Sequence, residues 1–149
     1  MAIEDEWRPP PLSKVRLDID ASVDTHGKAT CGGLIRDHRG HWVVGFKQQL
    51  GTYPPTMAEL MAIKAGLEMC QQQNLRDILV YSDSMEAINT LMRDNGTNHP
   101  FRAEVEKTRE LLYNLPSVKL LHEKREAVAY ADILAREAQR MGGELEVLF

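Results

Sequence analysis

At Pro54-Pro55-Thr56 the hydrophobic pattern changes period, and that change restricts the possible folds more than any other feature of the 149 residues. Before it, side chains alternate: Val15, Leu17, Ile19 and Ala21 lie on one face of a strand, with Arg16, Asp18 and Asp20 on the other. This predicts a half-buried strand, a turn over residues 24–27, and two further strands at residues 31–36 and 42–50 joined across Asp37-His38-Arg39-Gly40, together an antiparallel meander. After the change, Leu60, Ile63, Ala65, Leu67 and Cys70 fall at helical intervals among good helix formers such as Met57, Ala58, Ala62 and Lys64. Ile78-Leu79-Val80-Tyr81 is a short apolar run, the pattern of a buried parallel strand in a βαβ unit. Residues 84–93 predict a helix stopped by Asn95-Gly96, residues 101–115 another ending before Pro116, residues 118–122 a last strand and residues 127–141 a closing helix. The order βββ-α-β-α-α-β-α describes an α/β domain, one sheet with helices packed against it.

Pro9, Pro10 and Pro11 remove three backbone donors, so residues 1–13 read as an extended Pro-rich arm and residues 14–141 as the domain. Residues 142–149, ending in Leu145-Glu146-Val147-Leu148-Phe149, look like the remnant of a protease-cleavage tag and are left out of the expected fold. The natural segment then ends near Met141, and a longer parent protein with a neighbouring domain is expected. With 43% hydrophobic and 27% charged residues the chain has the composition of a globular domain, and a monomer is expected. No apolar run approaches the roughly 18 residues of a membrane helix, and no charged-then-apolar leader opens the chain. The expectation is an intracellular protein, nuclear or cytoplasmic, with Cys31 and Cys70 as reduced core residues. A net charge of -4 argues against broad electrostatic attachment to nucleic acid, although carboxylates gathered at a metal site would themselves lower the charge.

Four acidic residues sit where strands and helices begin or end. Asp18 and Asp20 share one face of the first strand, and two like charges there are unfavourable unless a cation lies between them. Glu59 has a local alternative, since Thr56-x-x-Glu59 also reads as a capping box. Asp83 also reads as an N-cap, with Glu86 three residues on, and Asp132 also suits the dipole at the start of the closing helix. In combination, Asp20 on the first strand, Asp83 at the end of the strand expected beside it, and Glu59 and Asp132 opening two helices would converge beyond the strand ends of an open α/β sheet. Four carboxylates converging there would repel unless neutralised, and an oxygen-only ligand set suits Mg²⁺ or Mn²⁺.

The run Val15-Arg16-Leu17-Asp18-Ile19-Asp20-Ala21-Ser22, the stretch Cys31-Gly32-Gly33-Leu34-Ile35-Arg36-Asp37 with Gly40-His41-Trp42, and the motifs Ala58-Glu59-Leu60, Tyr81-Ser82-Asp83-Ser84 and Ala131-Asp132-Ile133-Leu134-Ala135 resemble ribonuclease H in the family's order. They most resemble the plant ribonuclease H-like domains related to retroelement reverse transcriptases, whose typical lead-in Trp7-Arg8-Pro9-Pro10-Pro11 also resembles. The resemblance runs from about Trp7 to Arg140. It implies a ribonuclease H-like fold: a five-stranded mixed sheet, antiparallel over strands 1–3 and parallel over strands 4–5, flanked by helices. It implies metal-dependent hydrolysis of the RNA strand of an RNA–DNA hybrid, with Asp20, Glu59, Asp83 and Asp132 as the catalytic, metal-holding carboxylates. Two ions would act with substrate bound, bridged by Asp20: one activating a water, the other stabilising the leaving 3′-oxygen. Glu59 would lie near the 2′-hydroxyl, His122 would assist proton transfer or product release, and Ser22, Ser84 and Arg125 would contact substrate.

Departures from the family are also legible. Ala21 stands where the family has Gly, and Val128 where it has Asn, so two substrate-side positions have changed. No long basic insertion surrounds Gly96; Arg36, Arg39, Lys47, Arg93, Lys119, Lys124 and Arg125 are the candidate phosphate contacts, implying weak, salt-sensitive binding or help from a neighbouring domain. A related proofreading-type exonuclease would carry Asp-x-Glu on the first strand and Tyr or His four residues before its last Asp, whereas this chain has Asp18-Ile19-Asp20 and Val128. The competing reading is a weak or inactive module that binds nucleic acid or protein.

Overall fold

The first strand of the alternating segment, β1 (Val15–Val23), becomes the centre of the sheet rather than its edge. In the computed structural model, which describes residues 7–93 and 98–149, the elements that follow are β2 (Lys28–Arg36), β3 (Trp42–Thr52), α1 (Pro55–Gln72), β4 (Ile78–Ser82), α2 (Met85–Met92), α3 (Arg102–Asn114), β5 (Val118–His122), a 3₁₀ turn (Arg125–Val128), α4 (Ala129–Ala138) and β6 (Leu145–Leu148). The sheet order is β5-β4-β1-β2-β3-β6. Strands β1, β2 and β3 pair antiparallel, while β4 runs parallel to β1 and β5 parallel to β4.

The expected count of five strands is corrected to six. Leu145–Leu148, left out of the expected fold, pairs antiparallel with β3, Val147 opposite Phe46 and Glu146 opposite Lys47. The open ladder of an edge strand accepts any extended segment that satisfies its amides. Here Val147 adds to the core and Glu146 pairs with Lys47 at 3.1 Å. The closing helix is also shorter than residues 127–141, because Val128 breaks helical geometry (φ -110°) between the 3₁₀ turn and α4. The stop at Asn95-Gly96 lies outside the described residues.

Helix α1 covers one face of the sheet through Leu60, Ile63 and Leu67, which join Leu17, Ile19, Val44 and Phe46 in the main core. The other face of β1 is not the solvated one its polar residues suggested: Arg16, Asp18 and Asp20 are all buried. Asp18 is paired with the Arg16 Nε at 2.7 Å and accepts a hydrogen bond from the indole Nε1 of Trp7 at 2.8 Å. Thus the N-terminal segment is fastened to the domain by Trp7, whose ring also lies against the guanidinium groups of Arg16 and Arg36.

Candidate metal centre

Register brings the first two carboxylates together. Asp18 of β1 is the parallel partner of Tyr81 in β4, so two residues further along each chain Asp20 and Asp83 come out side by side. Strand β4 ends at Ser82 while β1 continues to Val23, leaving Asp20 at the border of the gap beyond the shorter strand. This is the switch point of the sheet, where open α/β folds form their sites.

Two glycines bring in the other two. A Cβ at Gly66 would lie 2.7 Å from Leu17 Cδ2 and 2.9 Å from Ile19 Cγ2, so only glycine lets α1 lie this close to β1 and carry Glu59 to Asp20. On the opposite face Gly32, the register partner of Asp20, performs the same role for α4: a Cβ there would lie 2.4 Å from the Ala135 nitrogen. Thr30 Oγ1 fastens the helix by donating to the Ala135 carbonyl at 2.7 Å. Gly32 enters the sequence reading only as part of a motif and Gly66 not at all, although a glycine inside a helical or strand pattern is itself a signal of close approach.

One oxygen each from Asp20, Glu59 and Asp83 lie within 4.8 Å of one another. Asp132 stands beside this trio, close enough to share a proton with Asp20 and paired with Arg136 at 3.1 Å. Burial and the charge of Asp83 push the Asp20 carboxyl up to about 7. Burial and the charges of Asp20 and Asp83 push Glu59 up to about 9, while Asp83 is raised chiefly by its own burial, against the pull of Arg125. Glu59 Oε1 is buried with no hydrogen-bond partner among the described residues. An unpartnered buried carboxylate oxygen is costly in a lone protein and favourable beside a cation. The donor set, all carboxylate oxygen, fits a hard divalent ion.

The local alternatives for these residues are settled differently. Pro54 is the N-cap of α1 and makes no side-chain cap, and Thr56 donates instead to Glu86 at 2.8 Å, so Glu59 is no part of a capping box. The N-cap of α2 is Ser84, whose Oγ accepts from the Ala87 amide at 3.1 Å, which leaves Asp83 free of that role. Buried Ser82, also unremarked in the sequence, accepts from the Ser84 amide at 3.1 Å and fixes the turn that presents Asp83. Asp18 and Asp20 need no metal cation between them, because the Arg16 guanidinium already pairs with Asp18.

Around the trio, exposed His122 ends β5 as the partner of Ser82, and its charge and that of Arg125 both favour ionised Asp83. Ser22 lies half-buried two residues beyond Asp20, its carbonyl accepting from Gln139 Nε2 at 3.1 Å. Val128 is 1% exposed, so this position belongs to the interior. Two candidate phosphate contacts are otherwise engaged: Arg36 is buried against Trp7 and Tyr130, and Lys47 pairs with Glu137 and Glu146. Among the described residues no helix is long and apolar enough to cross a membrane, and both cysteines are buried and free.

Known proteins share this frame. A family profile described as reverse transcriptase-like matches residues 18–138. An Arabidopsis thaliana protein, provisionally named a ribonuclease H protein, is 29% identical over 133 residues, covering 89% of this chain. The chain spans 22% of that protein's length. RNase H1 of the archaeon Halobacterium salinarum superposes with a TM-score of 0.78 at 27% identity, over 85% of this chain and 98% of that one. An RNase H1 isolated from compost, solved in complex with an RNA/DNA hybrid, has a TM-score of 0.73 at 22% identity, over 83% of this chain and 95% of that one.

Proposed function

The chain belongs to the reverse transcriptase-like family, and on that premise we propose that it is a metal-dependent ribonuclease H-type endonuclease that hydrolyses the RNA strand of an RNA–DNA hybrid. The observation that carries the reading is the trio of buried Asp20 and half-buried Glu59 and Asp83, together with the unpartnered, buried Glu59 Oε1. These three residues, completed by Asp132, would hold two Mg²⁺ or Mn²⁺ ions when substrate is bound. Such ions supply a more acidic water for in-line attack and neutralise charge at the leaving 3′-oxygen. The P–O3′ bond breaks as the water oxygen bonds to phosphorus, leaving 5′-phosphate and 3′-hydroxyl ends.

The chain's own groups supply the rest. Glu59 accepts from the 2′-hydroxyl, which restricts cleavage to RNA. His122, exposed at the end of β5, carries a proton to or from the reacting phosphate. Arg125 offsets phosphate charge near Asp83, and the hydroxyls of Ser22 and Ser84 contact the backbone of the hybrid.

A second reading, hybrid binding with little turnover, is favoured by one observation: Val128 faces the core where the resemblance has a polar substrate contact. Calorimetric titration with Mn²⁺, alongside electrophoresis of a labelled hybrid, separates the two. The nuclease reading expects saturable Mn²⁺ binding that is lost in Asp20→Asn, together with shortened RNA. Mn²⁺ and hybrid binding with intact RNA favours the second reading, and absence of Mn²⁺ binding overturns the metal site.

A further inference from the structure

A cavity of about 550 Å³ opens at the far end of β2 from the carboxylates, lined chiefly by Trp7, Arg36, Arg39, Trp42 and Tyr130. Both tryptophans of the chain are in it. Its floor is built: the Arg36 guanidinium lies 4.6 Å from the centre of the Trp7 ring and 5.0 Å from that of Tyr130. Its rim is open, with Trp42 46% and Tyr130 38% exposed. Arg39 projects from the β2–β3 turn and is exposed. The turn's one carboxylate, Asp37, accepts from the amides of Arg39 and His41 with one oxygen, both at 2.9 Å, faces the His41 ring at 3.8 Å with the other, and does not line the cavity. The lining therefore joins two cations to three aromatic rings with no acidic side chain, on a chain of net charge -4.

This combination suits a ligand that is flat and apolar at one end and anionic at the other, as a nucleotide is. The cavity also lies on the face of the sheet that α4 covers, the face to which Asp20 belongs. Arg36 is four residues beyond Gly32, the partner of Asp20, so it stands about 13 Å along β2 from the metal centre at 3.3 Å per residue. Tyr130 and Asp132 are two residues apart on α4, one lining the cavity and the other beside the carboxylates. We propose that the cavity is a subsite for an unpaired nucleotide of a single strand extending from the hybrid, its base stacked on Trp42 and its phosphate paired with Arg39. The identity of the ligand as nucleic acid rests on the nuclease reading; the shape and charge of the site do not.

Because both tryptophans line the cavity, their emission reports on it directly. The full chain is titrated with a single-stranded hexamer of deoxythymidine in metal-free buffer. Saturable quenching is expected, with Kd raised at least about fivefold in Arg39→Glu and kept within about twofold in Trp42→Phe. In parallel, a six-nucleotide single-stranded extension on one end of the hybrid lowers KM for wild type but not for Arg39→Glu, each protein being compared with its own KM on the blunt hybrid. Absence of quenching, or equal Kd for wild type and Arg39→Glu, overturns the subsite even if the hybrid is cut. Quenching that Arg39→Glu weakens, with no cleavage by wild type, leaves the subsite standing and removes the nuclease reading.

Discussion

Asp20 is 2% exposed, and its carboxyl, pushed up to about 7, sits among other carboxylates. Without a cation the site opposes folding as pH rises. Unfolded Asp and Glu ionise near 3.8 and 4.5, whereas folded Asp20 and Glu59 ionise near about 7 and about 9. Between those limits the folded chain binds more protons than the unfolded one, so stability falls with rising pH. Thermal unfolding in EDTA is expected to show Tm decreasing from pH 5 to pH 9, a flatter profile for Asp20→Asn, and recovery on adding Mg²⁺. A pH-independent Tm in EDTA would show that the carboxylates do not crowd one another. Legibility differed among the acidic residues. Glu59 and Asp83 could be picked out because each sits at a strand or helix end, and Asp20 because it shares a strand face with Asp18, all local properties. The pairing of Asp18 with Trp7, eleven positions earlier, could not, because alternation shows which face a residue shares but not what covers that face.

Helices α1 and α4 are placed by contacts too close for a side chain to intervene at Gly66 and Gly32. Alanine at Gly32 would push its Cβ to 2.4 Å from the Ala135 nitrogen and 2.6 Å from the Ala131 carbonyl oxygen, both backbone atoms. Gly32→Ala is expected to cost about 1–3 kcal/mol and to move Asp132 from Asp20, so that cleavage falls by more than the loss of folded protein explains. Denaturation midpoints and cleavage rates on the same samples check this, and an unchanged midpoint would contradict the close packing. At this scale the period change at Pro54 located α1 well, since Pro55 opens it. The 3₁₀ turn before α4 was not legible, because residues 125–141 carry helix formers throughout and only the tertiary fit of Val128 bends the chain there. Strand β6 is not legible in the sequence because a strand on an edge depends on the partner it finds, and Leu145–Leu148 is set aside there for its likeness to a protease-cleavage tag.

The molecule as a whole is a sheet whose order the element sequence could anticipate, through antiparallel neighbours first and parallel crossovers after. The N-terminal segment belongs to that whole: Trp7 is 8% exposed and covers the buried Arg16–Asp18 pair. Trp7→Ala is expected to destabilise the domain by about 3 kcal/mol, read from urea unfolding, whereas a free arm would leave the midpoint unmoved. Proline count marks residues 1–13 as an extended arm, but it gives no sign of the cover that Trp7 provides for Asp18. The chain spans 22% of its Arabidopsis relative, so partners contributed by a longer parent would add to whatever grip the domain has on its own. The central claim is that the carboxylate cluster cuts RNA in a hybrid, and the most direct test is cleavage of an end-labelled RNA–DNA hybrid in Mg²⁺ by wild type, Asp20→Asn and Asp83→Asn purified alike. The account predicts cleavage by wild type, its abolition by EDTA, and a loss of at least about 10³-fold in each variant; equal cleavage by all three proteins would contradict it.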